Sequence, residues 1–238
     1  STEENTPQRC LSGHDDEVNA VCWSPGGEML ASCSDDSTAK IWTAEEGLRH
    51  DLRGHLKEIF TLRWTPTGPS SLHPDKPLLL CTASFDGTVK VWSGSSGQLV
   101  FNLCKQVQPV YCLAPSPDGD FIATGSLGGN VSIWSLSKGS CLREVQGSGD
   151  TFDVSWSADG TLLCSCFSSG TLCVLDTTAS TAGVPALEAE GTISTADEAV
   201  DSAVPGADGA KTSTADSVAE TTETAAATEE MAVEDESG

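Results

Sequence analysis

Four stretches of this sequence lie over one another. They are AVCWSPGGEMLASCSDDSTAKIW, TLRWTPTG…LLLCTASFDGTVKVW, CLAPSPDGDFIATGSLGGNVSIW and DVSWSADGTLLCSCFSSGTLCVL. Aligned at Trp23, Trp64, Pro115 and Trp156, they start 41, 51 and 41 residues apart. Aligned at Trp42, Trp92, Trp134 and Leu175, they end 50, 42 and 41 apart. One insertion in the second unit, around GPSSLHPDKP, accounts for both long intervals. A repeat of about 40 residues constrains the fold before any residue is considered singly, because such units bury their apolar faces only by stacking on one another.

Each unit reads as strands. Short apolar, β-branched runs alternate with turns that carry Gly, Pro or Asp, such as Ser24-Pro25-Gly26-Gly27 and Ser116-Pro117-Asp118-Gly119. A helix of ordinary length would have to cross these breakers. The expected fold class is all-β, a β-propeller segment of four blades over residues 8–177, followed by a disordered acidic tail over 178–238. The repeats are expected at approximately 12–52, 53–103, 104–145 and 146–177.

The polar residues recur with the blades. Gly13-His14 and Gly54-His55 precede the first two units, and Asp36 and Asp86 each stand six residues before Trp42 and Trp92. The pattern resembles the WD-repeat family. The resemblance implies a buried tetrad in each blade, made of the loop His, the turn Asp, a strand Ser or Thr and the Trp. A catalytic reading of His14 with Asp36 or of His55 with Asp86 is set aside, because a pair that repeats with the blade is structural. In the third unit Gln106 and Gly128 replace His and Asp. In the fourth Ser148 and Ser169 replace them, and Leu175 replaces Trp.

Arg9-Cys10-Leu11 reads as a lone outer strand, which gives 16 strands in all. That count permits the N-terminal strand to close a four-bladed ring. The favoured alternative is an arc that belongs to a larger ring, whose open edges would promote self-association.

A closer resemblance rests on MLASCSDDSTAKIW, HDLRGHLKEIFTLRWTPTGP, TASFDGTVKVW, PVYCLAPSPDG and TLCVLD, with WTPTGP the most distinctive. These resemble the transducin-β-like subunits of nuclear corepressor complexes, over the C-terminal half of that family's propeller. The resemblance implies a scaffold for histone deacetylase complexes that binds histone tails, in the nucleus and also the cytoplasm. A generic adaptor in ubiquitin ligation or signalling is the alternative.

Charge supports a basic partner. Residues 1–180 carry a net −10 and residues 181–238 a net −13, which together make the −23 of the chain. Such a surface repels nucleic-acid phosphates. The tail lacks aromatic residues and cannot bury enough apolar surface to offset its ordering entropy. No Gly-rich phosphate loop or Gly-x-Ser-x-Gly elbow is present, so no catalytic residue, cofactor or enzyme activity is expected. No 18-residue apolar run suggests a membrane span. The ten cysteines sit mostly in apolar runs without Cys-x-x-Cys spacing, as expected of a reduced, intracellular chain, and no metal is assigned to them. The expected partner surface pairs acids with aromatics: Glu17 and Glu58 after the loop His, Asp35, Phe85 and Leu127 before the turn, and Phe60 and Tyr111 at the start of the inner strands. Phe85 is the expected exposed anchor.

Overall fold

The computed structural model describes residues 9–104 and 108–178. The expected tail over 178–238, apart from Thr178 itself, and Gln106 of the third repeat lie outside the described residues.

Four antiparallel sheets follow one another along the chain. Blade 1 holds β1 (Val18–Trp23), β2 (Met29–Ser34), β3 (Thr38–Thr43) and β4 (Gly47–Arg53). Blade 2 holds β5 (Ile59–Trp64), β6 (Leu79–Ser84), β7 (Thr88–Ser93) and β8 (Leu99–Cys104). Blade 3 holds β9 (Val110–Pro115), β10 (Phe121–Ser126), β11 (Asn130–Ser135) and β12 (Ser140–Gln146). Blade 4 holds β13 (Thr151–Trp156), β14 (Leu162–Phe167) and β15 (Leu172–Asp176). Strand order within each sheet is sequential, as hairpin connections dictate.

The expected sixteenth strand is not formed. Arg9, Cys10 and Leu11 are described but belong to no sheet, so the described strands number 15 and β15 has no fourth strand beside it. A strand needs a partner for its backbone groups, and no strand among the described residues pairs with Arg9–Leu11. The four-bladed closure that this strand would have made is therefore not adopted.

Apolar burial sits in the seams between sheets. Ile41, Leu62, Trp64 and Leu80 fill the seam of blades 1 and 2; Val91, Leu113, Ile122 and Trp134 fill that of blades 2 and 3; Ala123, Val154, Leu163 and Leu175 fill that of blades 3 and 4. Three cysteines, Cys33, Cys81 and Cys112, are buried there as small apolar groups. Burial pushes each of their thiols up to about 12, so they stay protonated and unreactive. The second-unit insertion binds its neighbours: Ser70 Oγ donates to Glu28 at 3.1 Å, and Lys76 Nζ meets Asp120 at 2.6 Å.

The turn between the second and third strands needs a left-handed residue. Gly87, Gly129 and Gly170 take it in blades 2 to 4 with φ of 80°, 84° and 80°, whereas Ser37 takes it in blade 1 at 64°. A side chain in that region costs about 1–2 kcal/mol, and the greater freedom of glycine in the unfolded chain offsets part of the relief. Ser37→Gly is expected to stabilise the protein by roughly 0.5–1 kcal/mol, read as a higher urea midpoint with unchanged m-value. A lowered midpoint would mean that the Ser37 side chain contributes more than its strain costs.

Candidate functional site

The two histidines are fixed from both ring nitrogens. His14 Nδ1 lies 2.8 Å from Asp36 Oδ2 and its Nε2 lies 2.8 Å from Ser32 Oγ, which also accepts from Trp42 Nε1 at 2.8 Å. In blade 2, His55 Nδ1 lies 2.9 Å from Asp86 and Nε2 lies 2.8 Å from Thr82 Oγ1, which accepts from Trp92 Nε1 at 3.0 Å. The strand hydroxyl that the sequence left unspecified is thus Ser32 or Thr82. Two further hydroxyls, Thr38 and Thr88, each donate to the aspartate at 2.6 Å and were not singled out by the repeat. The glycine before each histidine keeps room for the indole, since a Cβ on Gly54 would lie 3.3 Å from Trp92.

Burial alone would raise the Asp86 carboxyl, but the hydrogen bonds from His55, Thr88 and the Leu56 N–H outweigh it and hold the group well below the usual carboxylate range. Asp36 is held down in the same way by Thr38, the Asp15 N–H and His14 against its own burial. Burial pushes His55 down and keeps the ring neutral, despite the pull of Asp86 in the other direction.

The later blades keep only parts of this network. Trp134 Nε1 still donates to Thr124 Oγ1 at 3.0 Å, while Gly128, at the aspartate position, offers its backbone N–H to Asp150 instead. In blade 4, Ser148 and Ser169 bond to each other at 2.7 Å. Ser165, at the position of Ser32, is buried without a partner among the described residues.

The surface expected to meet a partner is shaped by backbone irregularity. The first strand of every blade carries a bulge, and the residue that the register skips is Asn19, Phe60, Tyr111 or Phe152. A bulge frees its residue from the in-out alternation and re-aims the side chain. The three aromatics therefore meet across blades rather than entering the seams. Phe60 and Tyr111 have ring centroids 4.7 Å apart, Tyr111 and Phe152 6.3 Å apart, and Phe85 meets Phe60 in a tilted contact at 5.3 Å. Asn19 continues the row onto blade 1, donating to Asp35 Oδ1 at 2.6 Å and to the Ile59 carbonyl at 3.1 Å.

The acids reach the same face through a repeated backbone bond. The N–H of Asp35 donates to the Glu17 carbonyl, that of Phe85 to Glu58, and that of Leu127 to Pro109. Glu17 and Glu58 are exposed; Asp35, Phe60, Phe85, Tyr111 and Leu127 are half-buried. Phe85 packs against Phe60 rather than standing clear. The most exposed aromatic of the row is Phe152, which sequence reasoning missed, although it occupies the repeat position of Phe60 and Tyr111.

Blades of this geometry, with tetrads at this spacing, can be compared with known proteins. The model of the WD domain, G-beta repeat, matches residues 5–43, 47–93, 97–135 and 139–176. The chain belongs to the WD-repeat family. Its family repeats are out of phase with its blades, the second, third and fourth matches starting at or just before the outer strand of the preceding blade. The WD40 repeat-containing protein HOS15 of Arabidopsis thaliana is 47% identical over 174 residues, 73% of this chain and 28% of HOS15. The human F-box-like/WD repeat-containing protein TBL1X is 44% identical over 172 residues, 66% of this chain and 28% of TBL1X. The chain thus spans less than a third of the length of these relatives. The crystal structure of the C-terminal WD40 domain of Sif2 superposes with a TM-score of 0.62 at 24% identity, covering 73% of this chain and 49% of that one. This likeness concerns the fold alone.

Proposed function

We propose that this WD-repeat protein is a protein-interaction scaffold, a subunit of a nuclear transcription corepressor assembly, and that it holds a basic segment such as a histone tail against the row Phe60, Tyr111 and Phe152. The observation that carries the reading is this aromatic row rimmed by Glu17, Asp35 and Glu58. Ring faces attract Lys and Arg, and exposed carboxylates beside them steer and pair with the same cations. The similarity to HOS15 and TBL1X, together with the resemblance of the sequence motifs to nuclear corepressor subunits, supports the partner class and the nuclear location. A catalytic role is disfavoured because the His–Asp pairs are engaged within their tetrads, with side-chain exposure of 5% and 8% for His14 and Asp36 and of 0% and 5% for His55 and Asp86.

Titration with a Lys/Arg-rich histone-tail peptide tests the reading. The parent is expected to bind weakly and less well as salt rises. A Glu17→Gln, Glu58→Gln, Phe152→Ala variant is expected to lose about ten-fold in affinity, the scale of one aromatic anchor or more. Equal binding by the two proteins, or binding indifferent to salt, would place the peptide elsewhere.

A further inference from the structure

The insertion of blade 2 spends its polar side chains inward and leaves its one large apolar side chain outside. It joins β5 to β6, at the end of the blade opposite Glu58 and Phe85. Its backbone folds back on itself. The Gly68 N–H donates to the His73 carbonyl at 3.1 Å, the Ser71 N–H to the Gly68 carbonyl at 3.0 Å and the Lys76 N–H to the His73 carbonyl at 3.2 Å. Thr67 Oγ1 ties the two ends together, donating to the Pro77 carbonyl at 2.7 Å. Compact surface loops of this kind, closed at the base and packed by their own side chains, frequently carry function.

The loop is also clamped on both flanks. Toward blade 1, Ser70 bonds to Glu28 and packs so close to the turn that a Cβ on Gly26 would lie 2.5 Å from it. Toward blade 3, His73 Nε2 lies 3.1 Å from the Pro117 carbonyl, and Lys76 Nζ donates to the Asp118 carbonyl at 2.8 Å as well as meeting Asp120. Between these anchors Leu72 is 93% exposed, more than any other large hydrophobic residue among the described residues. Blade 2 is packed by a blade on either side, so this exposure belongs to the middle of the arc. A single exposed leucine is ordinary on a protein surface. One held at the tip of a loop clamped on both flanks has little ordering entropy left to lose when it enters a pocket. Pro69, Pro74 and Pro77, all exposed, restrict the backbone around it further. The charge about the tip has one sign: Glu28, Asp75 and Asp118 are exposed, whereas Lys76 is already paired with Asp120.

We propose that the Leu72 loop is a second docking surface, a convex knob for a folded partner protein that offers an apolar pocket rimmed by Lys or Arg. The shape argues for a folded partner rather than an extended peptide, because a single projecting side chain is fully removed from water only in a concavity. The acids around the knob set the sign of the rim. The knob stands on the opposite end of the blade from Glu58, Phe60 and Phe85. The scaffold therefore holds two partners at once, a basic segment on the tetrad face and a folded protein on the other. This surface goes beyond the peptide-binding reading and does not depend on it.

The test starts from a photo-reactive group at the tip. The full chain carrying Leu72→p-benzoylphenylalanine, irradiated in cells that express it, is expected to form a cross-link to one protein, at an apolar pocket of that protein with Lys or Arg at its rim. The same group at Phe152, on the tetrad face, is expected not to give that product. The cross-linked protein is then purified and titrated with the parent chain. Binding is expected to weaken as salt rises. Leu72→Asp is expected to lower the affinity about ten-fold or more, because it carries a carboxylate into an apolar pocket, while Leu72→Met keeps most of it. Both variants are expected to melt with the parent, since the Leu72 side chain is almost wholly in water. A saturating histone-tail peptide is expected to leave the affinity unchanged, whether or not that peptide proves to bind the tetrad face. The proposal is overturned if no cross-link forms at position 72, or if the purified protein binds Leu72→Asp as tightly as the parent. It is equally overturned if binding ignores salt, or if a bound histone-tail peptide displaces the partner.

Discussion

Asp86→Ala is expected to lower stability by about 2–3 kcal/mol, because one carboxylate serves four donors in blade 2. It accepts from His55 Nδ1 and the Leu56 N–H at 2.9 Å each, and from the Thr88 hydroxyl and N–H at 2.6 and 2.9 Å. Alanine leaves the buried imidazole without the partner that sets its orientation, and the hydrogen bond that the Thr82 hydroxyl donates to Nε2, with the Trp92 indole behind it, loosens in turn. The pH dependence carries the same signature. The Asp86 and Asp36 carboxyls are lower in the fold than in the unfolded chain, so their stabilisation is present above about pH 4 and is lost as pH falls below it. His55 is also lowered, so the unfolded chain takes up its proton first, and stability begins to fall as pH drops below about 6.5. Both effects act in the same direction: melting temperature is expected to decline on acidification, steeply below pH 4, and the steep part is expected to be shallower in Asp86→Ala. A melt of Asp86→Ala that matches the parent at pH 7 would contradict the role given to the aspartate.

The blades were legible in the sequence because their determinants are local and repeated. Gly or Ser at the left-handed turn, Pro-Gly or Asp-Gly at the first hairpin, and a Trp whose indole needs a buried acceptor recur at a fixed period, and the geometry at His14, Asp36, His55 and Asp86 follows from them. The strand expected at Arg9–Leu11 shows the limit of such reasoning. Its residues suit a strand, but a strand is a pairing, and sequence does not say whether a partner edge is within reach. The bulges were hidden for a related reason. A skipped residue changes no composition, so Phe60 and Tyr111 could equally have been seam residues, and Phe152 drew no notice among Asp150, Asp153 and Ser155. Only the register, which passes from Thr151 to Asp153, turns it outward. Phe85 looked free because turn residues usually are; its ring instead finds Phe60.

Leu80→Ala is expected to cost about 3 kcal/mol, within the 2–5 kcal/mol typical of a buried leucine, whereas Leu30→Ala at the same repeat position is expected to cost less than about 1 kcal/mol in the isolated arc. Both residues pair with a tetrad tryptophan across the sheet, Leu80 with Trp92 and Leu30 with Trp42. Leu80 has no exposed surface and belongs to the cluster that joins blades 1 and 2. Leu30 is only half-buried, on the face of blade 1 that carries Val21 and Trp23. Removing the Leu80 side chain opens a cavity between two sheets that cannot collapse without moving one of them, while water already reaches Leu30 and fills the space. Urea titrations of the two variants give the difference directly. A Leu30→Ala cost as large as that of Leu80→Ala would mean that the face of blade 1 carrying Leu30 is covered.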